Sequence, residues 1–184
     1  MSVHFDVSKI SFFGLDDWSV AVCAWRGCCI EVFSRAEHSV ADCLKTLEAA
    51  GLKLSNDAYH QGAVARLRAL SDCMSSHTFG GHEKGTRKRI ESWQKLCEKR
   101  TMLAHGKVKA TQNGITIEPV NIPSKKGPVI APMSLSRVGM LEFLADLEQS
   151  QLLLHQQLGH IKALATKAKP SIATKQPDPG SSPG

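Results

Sequence analysis

From residue 16 to residue 51 the apolar side chains recur at steps of three and four: Trp18, Val22, Trp25, Cys29, Val32, Ala36, Val40, Cys43 and Leu47. A period near 3.6 held this long specifies one long amphipathic helix, or two nearly collinear ones. Asp16 and Asp17 are suited to cap its start, and Gly51 is a natural left-handed stop. Gly27 lies inside the pattern and is expected to mark a close helix contact.

Two further segments repeat the pattern. Ser55 or Asn56 can cap a second helix striped by Val64, Leu67, Leu70 or Ser71, and Met74, and Gly80-Gly81 closes that segment. A third helix is expected from about Glu83 to Ala104, with Ile90, Trp93, Cys97, Arg100 and Ala104 along its inward line and Gly106 just beyond it. The period then shortens to two: Val108 and Ala110 alternate with polar residues, as do Ile115 and Ile117, and Asn113-Gly114 between them is a strong hairpin signal, expected as a type I′ turn. The stretch 124–132 adds a turn and room for a third short strand. A final long helix, capped by Ser134 or Ser136, carries Leu144, Leu147, Leu154, Leu158, Ile161 and Ala165. The fold class is therefore all-α: a bundle of about four or five helices with a small β-hairpin inserted before the last one. Residues 1–165 are expected to form the single helical domain. Residues 166–184, rich in Pro, Ser and Gly, are expected to be a disordered tail, of which residues 170–184 are dispensable.

With 184 residues, 42% of them hydrophobic, the chain can build one real core. It has no apolar run long enough to span a membrane and no secretory leader, so a cytoplasmic location is expected. The six cysteines include no Cys-x-x-Cys pair and fall on helical patterns, so they read as small core residues rather than disulfides or zinc ligands. The net charge of +6 is uneven: residues 1–60 hold five basic and eight acidic groups, whereas residues 81–110 hold nine basic and three acidic. A basic strip of this kind suits a polyanion; a solvated helix face is the plainer alternative.

Within that strip, Arg100-Thr101-Met102-Leu103-Ala104-His105 has the form Arg, four residues, His, at the end of a helix and before a glycine. This resembles the R-x(4–6)-H motif of the HEPN superfamily, small all-α domains of which many are metal-independent endoribonucleases. The likeness is tight over residues 99–106 and loose over the helical layout of residues 16–165. Many active members carry Asn, Asp or His directly after the arginine, where this chain has Thr101. The resemblance implies that two copies face their motifs across a dimer cleft. It also implies RNA as substrate, no cofactor, and a role as a toxin or defence effector held in check by an antitoxin or regulatory protein.

The residue types suit that chemistry. Metal-free RNA cleavage needs a base for the ribose 2′-OH, an acid for the leaving 5′-oxygen, and a cation for the charge that grows on the phosphorane. Histidine can act as base or acid near neutrality, and a guanidinium can bridge two phosphate oxygens. His105 and Arg100 are the candidate catalytic residues, and Lys99, Thr101 and Lys107 the candidate RNA contacts. A structural role competes with this reading: Arg100 pairing with Glu37 or Asp42, and His105 capping free carbonyls. A catalytically silent module that binds RNA or a protein, or a helical interaction protein without nucleic-acid affinity, are the rival functions.

Other chemistry finds little support. His155 and His160, like His77 and His82, lie five apart, not at the i, i+4 spacing of a helical zinc pair, so no metal is expected. The glycine-rich stretch 79–88 lacks the phosphate-loop pattern. The three tryptophans sit on inward stripes and read as core.

Overall fold

The structure is a computed structural model and describes residues 17–55, 58, 62–119 and 131–168. Helix α1 runs Asp17–Ala49, α2 Ala63–Ser76 and α3 Glu83–His105; strands β1 (Lys107–Thr111), β2 (Gly114–Glu118) and β3 (Met133–Ser136) follow, and α4 (Arg137–Ala168) closes the order. The all-α class stands: four helices, with a small antiparallel sheet placed before the last. Among the described residues no helix is long and apolar enough to cross a membrane.

The long stripe of α1 is one unbroken helix. Trp25, Cys29, Val32, Phe33, Ala36, Val40, Cys43, Leu44 and Leu47 are buried along it. It meets Leu147, Leu154, Leu158, Ile161 and Ala165 of α4, and Ile90, Trp93 and Leu103 of α3, in a single core. Phe33 and Trp93 meet as tilted rings, 5.4 Å between centroids, and Trp25 Nε1 donates to the Met140 carbonyl at 2.7 Å, tying α1 to α4. Gly51 at φ 91°, and Gly80 and Gly81 at 61° and 87°, take the left-handed turns that end α1 and separate α2 from α3.

Several expectations need correction. The N-cap of α2 is Gly62, without a side-chain cap, not Ser55; Asn56 lies outside the described residues, as does Asp16. Val64 is 52% exposed, because α2 turns Leu67, Leu70, Cys73 and Met74 inward instead. Ala104 is only half-buried, whereas Met102 and Leu103 are buried. Gly27 has open space around it, so it marks no close contact. Cys23 is exposed and Cys28 half-buried, whereas Cys29, Cys43, Cys73 and Cys97 are core. Helix α4 continues to Ala168, past the expected boundary at 165, and the rest of the tail lies outside the described residues.

The hairpin forms where expected, but its turn is one residue earlier than a central Asn113-Gly114 pair requires. Thr111 pairs with Gly114, so Gln112 and Asn113 make the turn and Gly114 begins β2. A third strand, Met133–Ser136, falls just past the stretch 124–132 where one was expected, of which residues 124–130 lie outside the described residues; it pairs with β2, setting Val108, Ile117 and Met133 in one row and Ala110, Ile115 and Leu135 in the next. Alternation turns Val108, Ile115, Ile117, Met133 and Leu135 toward the core and leaves Lys109, Thr116 and Ser134 outward; Ala110, on the edge strand, is exposed despite its place in the alternation. Ser136 ends β3 and caps α4, its hydroxyl accepting from Gly139 N–H at 3.0 Å.

Candidate functional site

Two of the sequence-predicted residues meet in one groove. The N-terminal turn of α2 and the C-terminal half of α3 leave between them an open groove of about 450 Å³, walled by Gly62, Val64, Arg68, Cys97, Arg100 and Thr101. Arg100 reaches it from the inward line of α3. Its Nε lies 2.6 Å from Glu37 Oε1 of α1, and Glu37 Oε2 is 3.7 Å from Arg66 Nη2 of α2. One carboxylate therefore stands between two guanidiniums from different helices. The Arg100–Glu37 contact is close in distance but off axis. Nε and Oε1 are both closed to solvent without an aligned hydrogen bond.

This answers why an arginine occupies a buried line. Arg100 is only partly buried, and Glu37 meets the charge that burial of its Nε would otherwise strand. Asp42, the other acid considered for that role, is bound instead by Lys162 of α4. That contact holds the Asp42 carboxyl below the usual carboxylate range. Beside Arg100, burial and the nearby Glu37 carboxylate push the Cys97 thiol up to about 11, so it stays protonated near neutrality and offers no nucleophile.

His105 is not a wall of the groove. It is the last residue of α3, exposed, and makes no side-chain hydrogen bond or ion pair among the described residues. Five residues along a helix turn about 140° and rise about 7.5 Å, which separates it from Arg100 within one chain. Nor does His105 cap the helix. Gly106 N–H bonds the Met102 carbonyl at 2.7 Å, and Arg26 of α1 donates through Nε to the Leu103 carbonyl and through Nη2 to the Ala104 carbonyl at 2.8 Å. Gly106 is required here, since a Cβ would stand 2.5 Å from Met102 O and 2.8 Å from Glu118 O.

Arg26 escaped the sequence reading. Its trace in the sequence is a cation next to Trp25 on the inward stripe. It fixes the end of α3 that carries His105. Arg26→Ala should cost about 1.5–3 kcal/mol for the lost charge-assisted bonds. At this chain length that lowers the melting temperature by roughly 3–12 °C. Differential scanning calorimetry checks this, and an unchanged transition would show that the two contacts contribute nothing net.

The remaining candidates diverge. Lys99 is exposed and lies over the Phe143 ring of α4 at 5.3 Å, on a different side of α3 from Arg100. Thr101 is exposed in the groove wall, and Lys107 is exposed at the start of β1, opposite Glu118. The histidine pairs separate as well: His82 stacks on His160 with centroids 5.6 Å apart, and His155 Nδ1 lies 2.9 Å from Ser39 Oγ. Ser39 donates its own proton to the Arg35 carbonyl, so this contact does not activate the hydroxyl as a nucleophile. Among the described residues no three His, Cys, Asp or Glu side chains gather as a metal site. Trp25 and Trp93 are core, while Trp18 is half-buried beneath the Arg137 guanidinium at 4.1 Å. Comparisons with family models, with curated proteins and with solved structures find no match for this chain.

Proposed function

We propose that this chain is a HEPN-like, metal-independent endoribonuclease that works as a symmetric dimer. The observation that carries the reading is the division of α3's last turns. Arg100 is anchored by Glu37 at the wall of an open groove with Thr101 beside it, and five residues on His105 stands exposed and unengaged among the described residues. In this reading the Arg100 guanidinium meets phosphate charge. One His105 takes the 2′-OH proton as that oxygen attacks the adjacent phosphorus. The His105 of a second copy protonates the 5′-oxygen as the P–O bond breaks. Lys99, Thr101 and Lys107 flank the motif as contacts for the RNA backbone. A cytoplasmic ribonuclease endangers its own cell, which suits a toxin or defence effector restrained by an antitoxin or regulatory protein.

The test is incubation with mixed-sequence single-stranded RNA in EDTA. Products ending in 2′,3′-cyclic phosphate are expected, with DNA of the same sequence left intact because it has no 2′-OH, and light scattering should report a dimer. Intact RNA together with a strict monomer at micromolar concentration would sink the proposal. A second reading, a catalytically silent module that binds RNA or a partner protein, is favoured by one observation: His105 has no side chain orienting its ring among the described residues, and a working acid or base ordinarily has one. Steeply salt-dependent RNA binding without cleavage would select it.

A further inference from the structure

We infer that Glu37 is a positioning residue for the proposed reaction, setting the guanidinium of Arg100 so that its outer edge faces a phosphate in the α2–α3 groove. The inference rests on the ribonuclease reading and adds to it a residue from a helix the motif does not touch. An arginine offers two edges to an anion: one through Nε, the other through its two Nη groups. Glu37 Oε1 stands 2.6 Å from Nε, off the N–H axis, and both atoms are closed to solvent. The Arg100 side chain as a whole is 34% exposed, so its exposure falls on the remaining atoms, and Arg100 is a wall of the open groove. The Nε edge is thus closed to a ligand, and the Nη edge is the one left to meet it.

Arg66 explains why the carboxylate does not simply neutralise the site. It approaches the other Glu37 oxygen at 3.7 Å, so one negative charge is shared between two positive ones and the cluster keeps a net positive charge. Arg68 adds a third guanidinium at the groove wall. A polyanionic phosphodiester chain fits this balance better than a neutral ligand. Holding the Arg100 charge at the groove wall before substrate arrives lowers the ordering cost that a free arginine side chain would meet during reaction.

The test compares RNA cleavage and thermal unfolding for the full-length wild type, Glu37→Gln, Glu37→Asp, Arg100→Ala and the Glu37→Gln/Arg100→Ala double variant. Glu37→Gln should lower kcat by about 10²-fold with a much smaller change in KM, the size expected when a reacting group is misplaced by about an ångström. Glu37→Asp keeps the charge and should recover part of that loss. In the Arg100→Ala background the Glu37→Gln change should cost almost nothing further, because the group it positions is gone. Should Glu37→Gln fail to fold, Glu37→Asp alone and combined with Arg100→Ala carries the same comparison. Wild-type kcat in a folded Glu37→Gln, or a loss that adds in full to that of Arg100→Ala, overturns the positioning role while leaving the ribonuclease reading intact. An inactive wild type overturns both, and is told apart because it shows before any variant is compared.

Discussion

His105→Ala should lose about 10² to 10⁴ in RNA cleavage rate, the range for removing a general acid or base, while keeping its fold. The second half of that expectation comes from the surroundings of His105. The side chain is exposed and engages no hydrogen bond or ion pair among the described residues. The carbonyls it was a candidate to cap are served by Arg26 and by Gly106 N–H. Surface substitutions away from such contacts usually stay within about 0.5 kcal/mol. Arg100→Ala should behave differently: a loss of about 10² to 10³ in rate, by analogy with removed oxyanion donors, together with lower stability. Truncating it removes the nearer of the two counter-charges of Glu37, leaving Arg66 at 3.7 Å from the other oxygen and the solvent-closed Oε1 unmet. Measuring cleavage and unfolding on the same preparations separates the two. Equal loss of activity and fold in His105→Ala would instead give the histidine a structural role, and unaltered cleavage would remove it from the chemistry.

Gly114→Ala should be among the most damaging single substitutions in the sheet. A Cβ at that position would lie 2.0 Å from the Leu135 carbonyl oxygen and 2.8 Å from Ser136 Cα. Both are backbone atoms of the neighbouring strand, which cannot yield as the tip of a side chain can. Gly114 pairs with Ser136 across β2 and β3, so relief requires the strands to part where β3 hands over to α4. At the upper end of overpacking costs, about 3 kcal/mol, the melting temperature falls by roughly 6–12 °C for a chain of this size. Gly27→Ala is the internal control, with the opposite sign. It sits inside α1, and a methyl added there would meet nothing within 4 Å, so alanine should stabilise by about 0.5–1 kcal/mol through helix propensity alone. Calorimetry of both variants decides the matter: a neutral Gly114→Ala would mean that the β2–β3 contact is looser than its register implies.

The helices, their order and the hairpin were legible in the sequence because their signals are local. The steps of three and four from Trp18 to Leu47 leave one face of α1 apolar whatever it packs against, and the alternation about residues 108–117 does the same for a strand pair. Ser136 could be read as a cap because a cap acts within three residues. What the local pattern left open was partnership. Arg100 could be seen as misplaced on an apolar line, with Glu37 and Asp42 as equal candidates to meet it; only the packing of α1 against α3 brings Glu37 to it, while α4 brings Lys162 to Asp42. The end of α3 needed donors, and the donor is Arg26, 77 residues away from Leu103. Gly114 was recognised as special for a turn it does not centre; its real constraint is the backbone of β3, a strand remote from it in the sequence. Periodicity is set by neighbours in sequence and survives any tertiary arrangement. Charge pairing, capping across helices and close backbone approach depend on which surfaces meet, and that is decided only when the four helices and the sheet share one core.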